Sequence, residues 1–393
     1  MMNFEFHVPP AIIYGKGGRY RAVECVKRLS ISNLLIISDK YLGEIGITAE
    51  IADSVRASGI PYALFTNILN EPEIVDVENA LAAFRVNNCD GILCIGGGSA
   101  IDTAKAVSVM ANNPGAICDY MGYNKVKNPG VPLVAIPTTA GTGSEVTRVT
   151  IVTDAGRGVK MMCLDDAFMP DAAIVDYELT MSMPKSLTAY VGLDAFTHAI
   201  EAYVSAKANA ASDMFALRAA ELIAANILTA YNEPANEKAR ESMMLGANFA
   251  GIAFSNASVC AVHGMSRPVG AVFHIAHGLS NAMLLPVVTE CSIDGNISRY
   301  AALATRLGYA PDVPDMPDMP ERELAQALVN KLKQLNKLLD IPNFNQYGVD
   351  KTAYYNAIPG MVDAAEKSGS PANNPKVFTS EEMADIYRRA YDY

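Results

Sequence analysis

The sequence predicts an α/β fold in two parts, an open parallel sheet with flanking helices over residues 1–183 and an all-helical domain over 184–393. Three observations carry this expectation. Short apolar runs alternate with helical patterns through the first half. One such run, Gly91-Ile92-Leu93-Cys94-Ile95, ends in three glycines. From Pro184 onward strand signals give way to long helical periodicities.

The elements follow in order. Residues 4–14 alternate enough for an early strand, and Gly15-Lys16-Gly17-Gly18 makes a turn. A helix over about 19–29 leads to Asn33–Asp39, an apolar run of the kind buried on both faces of a parallel sheet. Helix 46–58, strand 61–66 and helix 74–87 come next, then the run at 91–95 and the helix after its glycines. Residues 131–154 hold a strand and a hydroxyl-rich loop, and Ile174–Thr180 closes this part. The helical part is expected at 186–206, 210–231, 235–255, 278–290, 296–307, 321–340, 351–366 and 380–391. The Pro-Asp repeat of 311–320 is expected as an exposed loop, because proline at that density forbids helix or central strand.

Composition narrows the partners. With 393 residues, half of them apolar, the chain can bury a large core. A net charge of −11 argues against a nucleic-acid partner. Seven scattered cysteines without a C-x-x-C fit reduced thiols in a cytoplasmic compartment. The N-terminus lacks the basic and apolar regions of a signal peptide, and no uninterrupted apolar run suggests a membrane span.

Two stretches carry cofactor chemistry. Gly96-Gly97-Gly98-Ser99 joins a buried strand to a helix, so backbone N–H groups are open to an anion and the helix N-terminus favours it. This is a diphosphate cradle in form, although such turns also occur without ligand. Asp39, ending a neighbouring strand, can accept from an adenosine ribose and repel a 2′-phosphate, which favours NAD over NADP; the alternative is a helix N-cap. The loop Pro137–Thr147 is rich in Ser and Thr, which suits phosphate and ribose or a plain turn.

A metal set lies in the helical half. Asp194 and His198 are four apart, on one helical face about 6 Å from each other. They fit one cation, Zn²⁺ or Fe²⁺ before Ca²⁺, or a buried Asp–His hydrogen bond. His263 and His277 would stand about 21 Å apart on an unbroken helix. Pro268 and Gly270 fall between them, so a turn is expected there. The four residues form a one-carboxylate, three-imidazole set with an open position for a substrate oxygen, or else capping and core histidines.

These motifs resemble the iron-containing (group III) alcohol dehydrogenases, relatives of glycerol dehydrogenase and dehydroquinate synthase. The resemblance rests on Gly96-Gly97-Gly98-Ser99 with Asp102 and Lys105, Pro137–Glu145, Gly192–Ala202, and His263-Gly…His277-Gly, and covers the whole chain. It implies a Rossmann-like dinucleotide-binding domain, a helical metal-binding domain and an active site in the cleft between them. By that resemblance Asp194, His198, His263 and His277 hold Fe²⁺ or Zn²⁺. Asp39, Gly97, Gly98, Ser99, Thr138, Thr139, Thr142, Lys160 and Leu179 line the NAD site, with Lys160 toward the nicotinamide. Val149, Phe254 and Met361 are carried over from family positions as pocket walls, the alternative for each being a core side chain. The implied reaction interconverts a small primary alcohol and its aldehyde by hydride transfer, with the metal as Lewis acid. Relatives form dimers and larger homo-oligomers.

The chain departs from the family at two positions. Arg267 stands where many relatives have a histidine that relays protons, and an arginine cannot deprotonate near neutral pH. His274 is a substitute for that relay; Arg267 itself suits an anionic substrate tail, carboxylate or sulfonate, or a structural salt bridge. Glu71 stands where many relatives have Asn. The rival readings are a lyase of the dehydroquinate synthase type and a dinucleotide-binding regulatory protein with a structural metal.

Overall fold

The computed structural model describes residues 3–68, 71–309 and 319–393, so most of the Pro-Asp tract lies outside the described residues. The chain divides into two compact units, His7–Ser182 and Met183–Tyr393, with Phe6 belonging to the second.

The first unit carries the sheet. Its strands are β1 (Ala11–Tyr14), β2 (Leu34–Asp39), β3 (Tyr62–Ile68), β4 (Gly91–Gly96), β5 (Gly122–Tyr123), β6 (Leu133–Pro137), β7 (Val149–Asp154), β8 (Val159–Leu164) and β9 (Ala172–Val175). Its helices are α1 (Ala22–Arg28), α2 (Lys40–Glu44), α3 (Ile47–Ala57), α4 (Ile74–Val86) and α5 (Gly98–Asn112). Six strands form one all-parallel sheet in the order β1-β9-β6-β4-β2-β3. The predicted early strand shortens to β1 because Pro9 and Pro10, which lack amide donors, stand directly before it.

Alternation explains the two cores. Leu35, Ile37, Ile92, Cys94 and Ala135 face one side, packed with α4 and α5. Leu34, Ile36, Leu93, Ile95, Val134 and Ile136 face the other, packed with α1 and α3. The central strands β4 and β6 are therefore buried at every position, the mark of a sheet covered on both faces. From β2 the chain moves outward to β3, then returns across β2 to β4 and continues to β6 and β9. The strand order reverses between β2 and β4, and ligands of open α/β sheets bind beyond the strand C-termini at such a point. Asp39 and Gly96–Gly98 stand there. Strands β5, β8 and β7 form a small separate sheet.

The second unit is helical: α6 (Lys185–Val204), α7 (Ala210–Asn232), α8 (Glu237–Ala257), α9 (Ala261–Phe273), α10 (His277–Ser292), α11 (Ile297–Arg306), α12 (Glu321–Leu338), α13 (Phe344–Tyr347), α14 (Lys351–Lys367) and α15 (Ser380–Ala390). Side-chain caps define several starts, such as Asn209 on the Ser212 amide at 3.0 Å and Asp350 on the Ala353 amide at 2.8 Å. By length and composition α7 is apolar enough to cross a membrane; here it packs on α6 and α8. Helix α6 is buried on all sides from Gly192 to Val204 and packs on α7, α8 and α10. Any polar side chain on that stretch is thus held in a dry, ordered setting.

One expectation is corrected here. The chain does not turn at Pro268 and Gly270, since α9 runs through both. Pro268 forgoes the bond to the Gly264 carbonyl, but burial against α10 and α14 keeps the helix intact. The reversal comes at His274, whose left-handed backbone (φ 54°, ψ 35°) ends α9.

Candidate functional site

Helix α6 presents Asp194 and His198 into the helical core, 2% and 5% exposed. Helix α9 brings His263 from its first turn, and α10 starts at His277. Gly278 lets α10 approach: a Cβ there would lie 2.5 Å from the Tyr190 carbonyl oxygen and 3.4 Å from Asp194 Cβ. The glycine after the second histidine is thus what permits His277 to stand beside Asp194.

Among the described residues, Asp194, His263 and His277 each bring one donor atom within 4.8 Å of the other two. His263 Nε2 and His277 Nε2 lie 3.5 and 3.7 Å from Asp194 Oδ1. The Asn281 amide nitrogen stands in their midst, 2.6 Å from Asp194 Oδ1, 3.1 Å from His263 Nε2 and 3.2 Å from His277 Nε2. Its two hydrogens cannot serve three acceptors. The Oδ1 of Asn281 and the Nδ1 of His198 are buried without a hydrogen-bond partner. A surplus of inward lone pairs with too few hydrogens fits a cation, and the mixed carboxylate and imidazole donors fit Fe²⁺ or Zn²⁺. His198 stacks on His263 at 4.4 Å and on Phe254 at 4.2 Å between centroids. The His277 side chain is 34% exposed, so the set is closed on the Asp194 side and open on that of His277.

The electrostatics agree with acceptors held ready. Burial alone would raise the Asp194 carboxyl, but His198, His277 and His263 outweigh it and hold it well below the ordinary range. Burial, helped by the positive charges of His263, His277 and Arg267, pulls His198 down to about 3 against the pull of Asp194. His263 moves the other way: burial lowers it, and Glu201 with Asp194 more than reverse that.

Two residues here had no assigned role in the sequence. Glu201 is buried and accepts from His263 Nδ1 at 2.6 Å and from the amides of Cys260 and Val262 at 2.9 and 2.6 Å. Its signal was its place seven residues beyond Asp194 and three beyond His198, on the same face of α6. Asn281 lies four beyond His277, again one helical turn away.

Arg267 is half-buried, and its Nη1 donates to Ser370 Oγ at 3.2 Å. His274 is exposed at the end of α9. Met361 is core, 1% exposed on α14.

In the sheet unit, Asp39, Gly97, Gly98, Ser99, Thr138, Thr139 and Thr142, expected from the sequence at a cofactor, lie at or just beyond the C-terminal ends of β2, β4 and β6. Asp39 caps α2, accepting from the Leu42 amide at 2.8 Å, and burial raises its carboxyl against the backbone hydrogen bonds it receives. Gly97, before α5, contributes no side-chain cap. A Cβ on Gly97 would come 3.4 Å from Thr139 Cγ2, and one on Gly98 would come 2.8 Å from Thr142 Cγ2. The two loops are therefore pressed together with half-buried Ser99, Thr139 and Thr142 between solvent and core. Side-chain-free backbone beside hydroxyls at a helix start suits a diphosphate. Thr138 is buried and its amide donates to the Gly96 carbonyl at 3.0 Å; Leu179 is buried in the short turn after β9.

Asp102 and Lys105 explain how the hydroxyl-rich loop is held. Asp102 accepts from Ser144 Oγ at 2.6 Å and the Ile151 amide at 2.9 Å. Lys105 donates to Thr147 Oγ1 at 2.9 Å and the Val149 carbonyl at 2.8 Å. Burial lowers the Lys105 ammonium to about 8, opposed by Asp102 and Glu145. Lys160, on β8, pairs with Glu71 at 2.5 Å. The departure at Glu71 is thus met by a partner for its charge.

Family comparison covers both units. Residues 9–177 match the model for iron-containing alcohol dehydrogenase, and 188–391 match that for the C-terminal part of the Fe-containing alcohol dehydrogenase family. The chain is similar to the NAD-dependent methanol dehydrogenase of Bacillus methanolicus, 35% identical over 98% of this chain and 99% of that one. Among solved structures, a 1,3-propanediol oxidoreductase matches with TM-score 0.94 and 32% identity, covering 99% of this chain and 100% of the other. A sulfoacetaldehyde reductase from Bifidobacterium kashiwanohense, solved with NAD⁺, matches with TM-score 0.88 and 27% identity over 100% and 99%.

Proposed function

We infer the reaction from one premise: the chain belongs to the iron-containing alcohol dehydrogenase family. It is an NAD-dependent, metal-dependent alcohol dehydrogenase or aldehyde reductase acting on small alcohols and aldehydes. Our own reading adds the residues and the substrate end. Asp194, His263 and His277 hold a divalent cation, Fe²⁺ or Zn²⁺, with His198 as the fourth ligand. Asp39, Gly97, Gly98, Ser99, Thr138, Thr139, Thr142, Lys160 and Leu179 serve NAD.

The cation supplies Lewis acidity toward the alcohol oxygen, and the nicotinamide supplies the hydride acceptor. The chain's own contribution is placement. Asp194 gives the set its one negative charge, which leaves a divalent centre net positive toward an oxygen ligand. The Phe254 ring on His198 keeps water from that face. The half-exposed side of His277 gives the oxygen its way in. Asp39 meets the adenosine ribose and disfavours a 2′-phosphate. Convergence of the three donors on one point carries this reading.

The test is steady-state reduction of small aldehydes with NADH and NADPH, before and after chelation. Activity is expected with NADH over NADPH, to vanish on chelation while circular dichroism persists, and to return with Fe²⁺ or Zn²⁺. Unfolding on chelation would make the metal structural. Turnover of a phosphorylated sugar acid without net NADH use would favour the lyase.

Arg267 sharpens the substrate class. Arg267 is half-buried on α9, four residues beyond His263 and so on the same helical face, and a guanidinium there suits an anionic tail on the aldehyde. The similar sulfoacetaldehyde reductase supports a carboxylate or sulfonate tail. Arg267→Ala is expected to lower kcat/KM about 10- to 100-fold on such an aldehyde, the loss of one charge-assisted pair, and under threefold on a neutral one of equal length. Equal losses on both would assign Arg267 to structure, through Ser370.

A further inference from the structure

We propose that Glu201 is a positioning residue for the metal centre: it holds His263 in the Nδ1–H tautomer, with Nε2 turned toward Asp194 and His277, and secures the helix that carries it. The proposal rests on the metal-centre reading above.

Cys260 stands at the N-cap of α9, and its side chain makes no capping bond. Glu201, from a different helix, takes the cap's place by accepting from the Cys260 and Val262 amides. The same carboxylate reaches the ring of the next residue, with Oε2 at 2.6 Å from His263 Nδ1. A carboxylate only accepts, so Nδ1 carries the hydrogen, and in the neutral ring it is Nε2 that offers the lone pair.

That choice has an alternative which Glu201 forecloses. His263 Nε2 lies 3.5 Å from Asp194 Oδ1. An imidazole with its hydrogen on Nε2 would direct it at Asp194 and occupy the lone pair a cation needs. By demanding the hydrogen at Nδ1, Glu201 selects the neutral tautomer whose bare nitrogen is the ligand atom. It also fixes the ring, because the carboxylate is itself tied to two backbone amides and is 2% exposed on a helix buried all round. Such carboxylate–histidine–metal relays orient ligands and raise their basicity.

Two measurements decide it. The first is the Zn²⁺ dissociation constant of Glu201→Gln beside wild type, by competition with a chelator, with the melting temperature of each metal-free form. Glutamine offers one acceptor oxygen where the carboxylate offers two, and its amide donates. The expected result is a Zn²⁺ dissociation constant raised about 10- to 100-fold. A lowered metal-free melting temperature with unchanged Zn²⁺ affinity would overturn the proposal, since it would leave Glu201 only a helix cap.

The second measurement needs no substitution at Glu201. The zinc form of the wild-type chain, labelled with ¹⁵N in its five histidines, reports each ring's tautomer. The His263 resonances, identified by their loss in His263→Gln, are expected to show hydrogen on Nδ1 and metal on Nε2. Hydrogen on Nε2 would overturn the proposal. Wild type that takes up no zinc or iron would defeat the metal-centre reading and this one with it, whereas tight wild-type binding with an equally tight Glu201→Gln defeats this one alone.

Discussion

Asp194→Asn abolishes stoichiometric metal and lowers kcat/KM at least about a thousandfold, or about 4 kcal/mol of transition-state stabilisation. The substitution keeps the volume and one acceptor oxygen, so the fold stands. It removes the only carboxylate in the donor set, and with it the charge that offsets a divalent ion in a site 2–5% exposed at Asp194 and His198. The decisive comparison is thermal. Wild type gains about 2.7 kcal/mol of stability at a hundred times the dissociation constant of its metal, whereas the variant gains nothing at the same concentration. The metal-free melting temperatures stay within a few degrees. A variant that keeps one metal per chain and the full thermal gain would remove Asp194 from the centre.

Gly278→Ala tests the same centre through the backbone. Alanine favours a helix over glycine by about 1 kcal/mol, so propensity alone predicts a more stable chain. Sterics decide otherwise. The new Cβ would stand 2.5 Å from the Tyr190 carbonyl oxygen and 2.9 Å from its carbon, backbone atoms of a half-buried helical residue that cannot swing aside as a side chain can. Overpacking of this kind costs about 1–3 kcal/mol. Relief requires α10 to back away from α6 by about 1 Å, and a displacement of that size at a reacting centre costs about a hundredfold in rate. The expected outcome is a net loss of stability in denaturant melts, weaker metal retention and about a hundredfold lower kcat/KM. Gly360→Ala is the control: that position on α14 has open space, so the change should be neutral or stabilising by up to about 1 kcal/mol. A Gly278→Ala chain as stable and active as wild type would show that the close approach has no bearing on the site.

Most of the architecture was legible because its signals are local. Apolar runs such as Leu34–Ile37 announce a sheet covered on both faces, and α5 follows its three glycines. The turn between His263 and His277 was misplaced because proline is read locally while burial is not: α9 absorbs Pro268, and the break is made by His274, whose left-handed backbone carries no sequence mark as plain as glycine. Glu201 hid for a related reason. A glutamate near the end of a helix reads as a solvated side chain, and only the packing of α6 shows it to be buried. The pairing of Lys160 with Glu71 spans 89 positions and has no local signal at all. The four candidate ligands could be named because a helical repeat and two His-Gly pairs survive in the primary sequence, and the structure groups three of them, Asp194, His263 and His277; Asn281 and Glu201 beside them carried no such signal.

The spacing of Asp194, His198 and Glu201 along α6 also governs which kinds of genetic change this enzyme can tolerate. Three duties fall on one helical face within eight consecutive positions. A substitution elsewhere on that stretch perturbs packing by degrees. Inserting or deleting a single residue between Asp194 and Glu201 turns everything beyond it by about 100° and slides it about 1.5 Å along the axis. Depending on where the change falls, His198 and Glu201 leave the site together, or Glu201 alone is carried away from the His263 ring. Between Asp194 and Glu201 the segment is therefore expected to tolerate substitutions better than any change of length.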